Sequence, residues 1–474
     1  MTASSDSHPD SSVSWSEFLR SGNSAALLLV SLAVWLHAAD SLIVATKLPA
    51  IVADIGGAAY VSWTVSIYEI GSIVAGAASA LLTMRHGLRL PMAGAALLFS
   101  LGCAVSAAAP DMRILLIGRA FQGLGGGGLV AMAFVAIGTL FERRYTARVM
   151  AMVSAFWGLS AFLGPLLGGL FVEYATWRIG FWFFAAQALG LAAFIFWQAP
   201  SKAAARDGKP GRFPLGRLAL LCGAVILISY SGVRADPFQT GALALAGIAC
   251  LVLFLRGDAR AGNDRLLPRA PVDPRTPAGS TLLMLFALSM ATIPILAYGP
   301  LLMTAIHGVS ALTAGYVVAA SSIGWTIAAI AVSGSPERLD RMWIALGMAL
   351  ATASIAGFAH AVPAGPVWLI AVIAFAEGAG FGLAYTFILR RVVTLVPEEE
   401  EQRVTGALPT VQRLGYALGA ALMGIVANAA GFAGMQGAEE AIPIARLLFL
   451  VSLPIGCIGL AAMWGLVRPR SPSA

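Results

Sequence analysis

Fourteen runs of about twenty apolar residues follow one another along this chain, separated by short polar segments. A helix needs about 20 such residues to cross ~30 Å of hydrocarbon. Inside a bilayer every backbone N–H and C=O must be satisfied by the protein, which leaves only helices or a closed barrel. These runs are long and continuous rather than ten-residue alternations, so they predict helices. They lie near 25–50, 60–83, 88–109, 112–140, 147–171 and 179–197, then 215–233 and 238–255, then 280–306, 312–332, 342–361, 367–389, 404–430 and 442–466. The fold class is therefore all-α integral membrane, with 14 transmembrane helices. Composition agrees: 59% of residues are hydrophobic and 11% charged, against about 25% charged in a soluble domain. Mean hydropathy is +0.83. A soluble enzyme, a disordered chain and a secreted disulfide scaffold are excluded. Cys103, Cys222, Cys250 and Cys457 each sit alone in an apolar run, without metal-ligand spacing, and predict small core residues. Residues 1–20 are polar and lack a basic stretch ahead of an apolar one, so they read as a cytoplasmic tail rather than a signal peptide.

Lys and Arg set the orientation of membrane helices. With both termini cytoplasmic, 23 of the 30 basic residues fall on the inner side, among them Arg85, Arg89, Arg143, Arg144, Arg338, Arg341, Arg390 and Arg391. The outer side takes Lys47, Arg113, Arg178, Arg234 and Arg446, and Arg119 and Arg413 remain at membrane depth. Topology thus accounts for the net charge of +7, and nucleic-acid binding has no support. Two segments rich in Pro, Gly and Arg, 199–214 and 257–278, bracket the two short helices. The chain divides into a tail (1–24), a six-helix bundle (25–198), a linker with two inserted helices (199–279), a second six-helix bundle (280–467) and a tail (468–474). The basic pair Arg338 and Arg341 echoes Arg85 and Arg89, an internal repeat with a pseudo-twofold relation, and such repeats place substrate sites between the halves near the midplane.

Three acids fall deep within spans: Asp40, Glu69 and Glu377. A charge at helix centre costs about 2.5–3.5 kcal/mol on insertion scales, so it must be neutralised, paired or wetted. At 1.5 Å per residue, Asp40, Glu69 and Arg119 lie roughly 15, 14 and 11 Å from the outer ends of their helices, so they can share a cluster. Glu377 and Arg413 fall near mid-depth in the second half, a second possible pair. Burial disfavours a carboxylate and a neighbouring Arg favours it, so such a group can gain and lose a proton as a cavity opens and closes. Asp40 is the first candidate for the proton carrier. Glu69 is the alternative, or the countercharge for a cationic substrate. His37, one turn before Asp40, is a relay candidate or a hydrogen-bonded structural residue. With His37 and Gln122, the aromatic residues Trp63, Tyr68, Trp157, Tyr298 and Tyr385 are candidates for lining a substrate cavity. The glycines at 123–128 match G-x-G-x-x-G, but no strand precedes them; in a span they predict close helix contact. Gly164, Pro165, Gly168 and Gly169 give the fifth span a bend and a flat face. The acidic run 398–401 reads as a solvated loop or helix start.

These residues resemble the major facilitator superfamily, specifically its fourteen-helix drug:proton antiporter branch, over nearly the whole chain. Ala-Asp-Ser-Leu-Ile-Val-Ala-Thr-Lys-Leu-Pro at 39–49 is similar to the motif of the first helix, whose Asp handles protons. Gly-Arg-Ala-Phe-Gln-Gly-Leu-Gly at 118–125 is similar to that of the fourth, whose buried Arg is implicated in coupling. Gly-Pro-Leu-Leu-Gly-Gly at 164–169 matches the core of the antiporter motif, and Thr176, Trp177 and Arg178 are also typical. Where the first motif usually has Thr, Asn and Ala, this chain has Leu42, Ala45 and Lys47. The loop after the second helix keeps Arg85, Gly87 and Arg89 as a cytoplasmic gating element, with Met84 in place of the usual acid, and Glu69 stands where an apolar residue is usual. The resemblance implies a monomeric exporter in the cytoplasmic (inner) membrane, with no cofactor and with protons as the coupling ion. Its substrate would be a small amphipathic or cationic molecule. The alternative in the same fold is a dedicated transporter of one metabolite, such as a siderophore or lipid precursor. A membrane enzyme or receptor would need a metal cluster, a nucleophile–base pair or a soluble domain, none of which the sequence contains.

Overall fold

The computed structural model describes residues 15–20, 22–199, 213–233 and 236–468. Residues 1–14 and 469–474, Arg234 and the linker residues Lys202, Arg206, Lys209 and Arg212 lie outside them. Helices joined by turns and short irregular segments make up the described residues, among which there is no strand. After a short turn at Trp15–Arg20 come α1 (Ser24–Ile55), α2 (Trp63–His86), α3 (Arg89–Ala107), α4 (Met112–Leu140), α5 (Thr146–Tyr174) and α6 (Trp177–Gln198). The inserted pair is α7 (Leu215–Ser231) and α8 (Pro237–Ala259). Then follow α9 (Pro277–Ala297), α10 (Ala311–Val332), α11 (Asp340–Ala364), α12 (Val367–Leu395), α13 (Glu398–Ala429) and α14 (Ala438–Ala462). Thirteen helices are long and apolar enough to span a membrane, and α7 is a shorter apolar helix.

Local chemistry sets the ends. Asp111 caps α4 by accepting from the backbone N–H of Arg113 and Ile114 (2.8 and 3.0 Å). Gly87 closes α2 at φ +72°, a conformation that costs a side-chain-bearing residue about 1–2 kcal/mol. The ninth apolar run is not one helix. It breaks at Tyr298 and resumes as Gly299–His307, because Pro300 has no N–H to offer the carbonyl four residues back.

The same packing pairs occur in both halves. α1 packs on α5 as α9 packs on α13; α2 on α4 as α10 on α12; α3 on α4 and α6 as α11 on α12 and α14. Buried apolar residues from Phe18 to Ala199 form one core, and those of the second half form others, to which the first half lends Leu48 and Val61. The halves meet along two seams, α2 against α13 and α5 against α10. The inserted helix α7 lies along the first seam: the Trp63 indole N–H donates to the Ser229 carbonyl (3.2 Å), and the Asn428 amide donates to the Ala59 and Gly232 carbonyls (2.9 Å each). α8 packs on α7 and leaves most of its surface for lipid.

One end of the molecule carries the Arg-rich loops; the opposite end, with Ala59, Gly308 and Phe432, is Arg-poor. At the Arg-poor end the seams are shut. A Cβ on Gly169 would lie 2.6 Å from Leu312, and one on Gly424 would lie 2.3 Å from the Ser62 hydroxyl. Such approaches need small residues, which is how helices associate in lipid.

Candidate functional site

The glycines of α4 are packing devices. A Cβ on Gly123 would stand 2.2 Å from the Tyr68 carbonyl, on Gly125 2.4 Å from the Phe99 nitrogen, and on Gly127 2.3 Å from the Ser72 Cα. With α4 pressed against α2 and α3, Arg119 points into the first bundle. Its Nη1 donates to Asp40 (2.5 Å) and to Gln122 (2.8 Å), and its Nε donates to the Thr64 carbonyl (3.1 Å). The guanidinium stacks 4.3 Å above the Tyr68 ring, and Gln122 continues to the Cys103 sulfur (3.1 Å). Asp40 is 0% exposed, and its second oxygen, Oδ1, has no hydrogen bond among the described residues. Removing one partner of such a buried pair costs about 3–5 kcal/mol, because the other charge is left uncompensated.

A second set of contacts crosses between the bundles. Arg413 of α13 donates to Glu69 of α2 (3.1 Å) and meets His37 Nε2 of α1 (2.9 Å). A guanidinium only donates, so His37 accepts through Nε2 and its hydrogen resides on Nδ1. Nδ1 then donates to the Tyr68 hydroxyl oxygen at 2.7 Å, and that hydroxyl leans toward the His37 carbonyl at 3.5 Å. Asp40, Arg119, Tyr68, His37, Arg413 and Glu69 thus form one contiguous chain of side chains reaching from the first bundle into the second.

This arrangement corrects the second pairing suggested by depth alone. Glu377 of α12 is buried but does not meet Arg413; it lies where α12 packs on α10, next to Gly378, whose Cβ position would fall on the Ser321 backbone. Sequence depth is measured along a helix, whereas partners are set by which faces turn toward each other across the seam. Lys47 is corrected as well. It is not at an outer end: α1 runs on to Ile55, and Lys47 is 0% exposed within it. The acidic run 398–401 is the first turn of α13, and its Glu400 is buried, accepting from Arg265 (3.3 Å), Arg403 (3.1 Å) and the Arg269 backbone N–H (2.9 Å). Among the cysteines only Cys103 is buried, and Cys457 is exposed.

The remaining candidates scatter. Trp157 is exposed and sets its edge against His37 at 6.1 Å. Tyr385 packs against Trp325 within the second bundle. Tyr298 is buried at the α9 break against Phe432, and Trp63 belongs to the seam under α7. Gly164 and Gly168 seat α5 on α1 near Leu42 and Thr46, while Gly169 and Pro165 face α10. Arg89 donates to the Ala199 carbonyl (2.6 Å), tying the loop around Arg85 and Gly87 to the end of α6. In the second half, Asp340 at the start of α11 pairs with Arg390 of α12. Sequence reasoning passed over Asp258 as well, which holds Arg217 (2.5 Å) and the backbone of Leu266 and Leu267. An acid at a helix end followed by a basic loop was the available signal.

Two repeated helical bundles, closed at one end and joined through ionisable side chains at depth, define a polytopic membrane carrier. A family model of the Major Facilitator Superfamily matches residues 30–361 and again 280–474, and the chain belongs to that superfamily of transporters. It is therefore a multi-pass membrane transporter, not an enzyme, and its substrate is a small molecule. A Mycobacterium tuberculosis protein named "Probable multidrug-efflux transporter" is 29% identical over 470 residues, covering 95% of this chain and 96% of that one. A multidrug transporter of Bacillus subtilis is 28% identical over 291 residues, covering 60% of this chain and 53% of its own. Among solved structures, a bacterial homolog of the human lysosomal transporter Spinster has a TM-score of 0.65 at 15% identity, covering 92% of this chain and 95% of that chain. The Escherichia coli xylose transporter has a TM-score of 0.60 at 15% identity, covering 94% and 99%.

Proposed function

We propose that this protein is a proton-coupled exporter of small amphipathic or cationic molecules, working by alternating access as a monomer in the cytoplasmic membrane, with both termini inside. The observation that carries this reading is the chain of side chains from Asp40 through Arg119, Tyr68 and His37 to Arg413 and Glu69, since it joins two acids to a contact between the bundles. Protonation of Glu69 removes the charged acceptor of Arg413 and weakens the link across the α2–α13 seam. Protonation of Asp40 removes the counterion of Arg119. Each event changes the relative stability of the two access states, and a proton moving down the membrane potential supplies about 2.3 kcal/mol per 100 mV, roughly a fiftyfold gradient. The multidrug names of the relatives support a broad substrate range, and two acids at depth suit a cationic or neutral amphiphile.

The test is flux in proteoliposomes under an imposed pH gradient, with a lipophilic cationic dye set against single metabolites. Asp40→Asn is expected to abolish uphill transport while leaving a folded protein that still exchanges substrate across the membrane. Undiminished uphill efflux by this variant refutes proton coupling through Asp40. Activity on one metabolite and none of the dyes refutes the broad range.

A further inference from the structure

Lys47 is a buried ionisable group that the scheme above leaves without a role. It is fully enclosed, and its Nζ makes no hydrogen bond among the described residues. The amine rests 3.4 Å from the centroid of the Phe181 ring on α6. Around it are Gly180, whose Cβ position would lie 3.0 Å from Nζ, and Phe171 of α5. The titratable and charged groups that act on it are Asp40 on its own helix, Cys103 on α3 and Arg119 on α4; α6 contributes apolar atoms here. A ring face attracts an ammonium but accepts no conventional hydrogen bond, and is worth about 2 kcal/mol when desolvated. That is far less than a permanently charged ammonium loses on leaving water. The ring face thus offsets only part of that loss, and the site tolerates an ammonium in passing rather than permanently.

Its position gives that tolerance a use. Asp40, Lys47 and Asp54 are spaced by sevens on α1. Seven residues make nearly two turns, with a drift of only about 20°, so the three lie on one stripe, about 10 Å apart. The stripe runs from the Arg-poor surface to the depth of the site. Asp54 is 48% exposed and binds Arg178 and the Trp177 indole N–H (3.0 Å) at the rim of α6. Lys47 comes next beside Phe181, and Asp40 last, its Oδ1 without a donor among the described residues.

We propose that the Lys47 amine is a proton way-station between the Arg-poor surface and Asp40. In the state open to that surface, the neutral amine takes a proton from hydronium and becomes ammonium. It then gives the proton to the Asp40 carboxylate, which leaves a neutral amine and a carboxylic acid; no bond other than N–H and O–H changes. The long flexible stem of Lys lets the amine travel toward Asp40, because helical side chains lean toward the helix N-terminus. This inference rests on the proton-coupled reading.

The experiment compares two assays on reconstituted full-length protein: uphill transport driven by a pH gradient, and substrate counterflow, which needs no net proton movement. Lys47→Met is expected to lower the uphill rate roughly a hundredfold, the scale of a lost proton-transfer group, while counterflow stays at the unmodified rate. Lys47→Arg, whose guanidinium does not deprotonate, is expected to fail in the uphill assay in the same way. Normal uphill transport by Lys47→Met overturns the proposal, as does rescue by Arg, which would make Lys47 a fixed countercharge. Loss of counterflow together with uphill transport in a monodisperse Lys47→Met protein assigns the residue to packing and also overturns it. Asp40→Asn run alongside separates the two ideas: if it loses uphill transport while Lys47→Met does not, the relay falls and proton coupling stands.

Discussion

Arg413→Met tests whether the contact between bundles governs which end of the transporter is open. In the arrangement described, Arg413 donates to Glu69 at 3.1 Å and to His37 at 2.9 Å, with side chains 22% and 13% exposed for Arg413 and Glu69. Hydrogen bonds to charged groups contribute about 1.5–3 kcal/mol each. In the alternative state water replaces part of both, so a net bias of about 2–3 kcal/mol toward the shut Arg-poor end is reasonable for the pair. Losing it shifts the equilibrium between the states by roughly 30- to 150-fold, at a factor of ten per 1.4 kcal/mol. Met keeps the stem length and apolar packing of Arg, so the change falls mainly on the charge. Ser62 sits in the shut seam, 2% exposed and against Gly424. With the four native cysteines replaced and Ser62→Cys introduced, labelling by a membrane-impermeant maleimide from the Arg-poor side reports the open fraction. Arg413→Met should raise the labelling rate by tens of fold. An unchanged rate, in a variant that melts like the parent, refutes the idea that this contact holds the seam shut.

Other perturbations have equally definite outcomes. Glu400→Gln removes the charge that Arg265, Arg403 and the Arg269 backbone converge on; it should destabilise the protein by about 3 kcal/mol, read as a lower melting temperature in detergent with substrate exchange retained below it. Gly123→Val puts a branched side chain where a Cβ already lies 2.2 Å from the Tyr68 carbonyl; separating α2 from α4 should cost at least the 1–3 kcal/mol typical of overpacking (about that scale) and abolish a monodisperse elution peak. Gly87→Ala forces a side chain into φ +72°; a loss of about 1–2 kcal/mol is expected, seen as a small drop in melting temperature without a change in oligomeric state.

The helices themselves were written locally. An apolar run of twenty residues has only one structure available in hydrocarbon, so the fourteen segments, their order and the role of the α4 glycines as close-contact surfaces could be read from residues near one another in the chain. The Asp40–Arg119 pair was also within reach, because two opposite charges at equal depth in one bundle have few other partners. What could not be read was the rotation of one helix about its axis relative to another. Arg413 and Glu377 share a depth and belong to the same half, yet Arg413 faces α2 and takes Glu69 and His37 of the first half instead. Lys47 sits near the end of an apolar run, where a basic residue ordinarily reaches water, but α1 continues for two further turns and α6 closes over it. Hydropathy reports how far along the membrane normal a residue lies; the packing of the two bundles sets its azimuth, and the azimuth selects the partner.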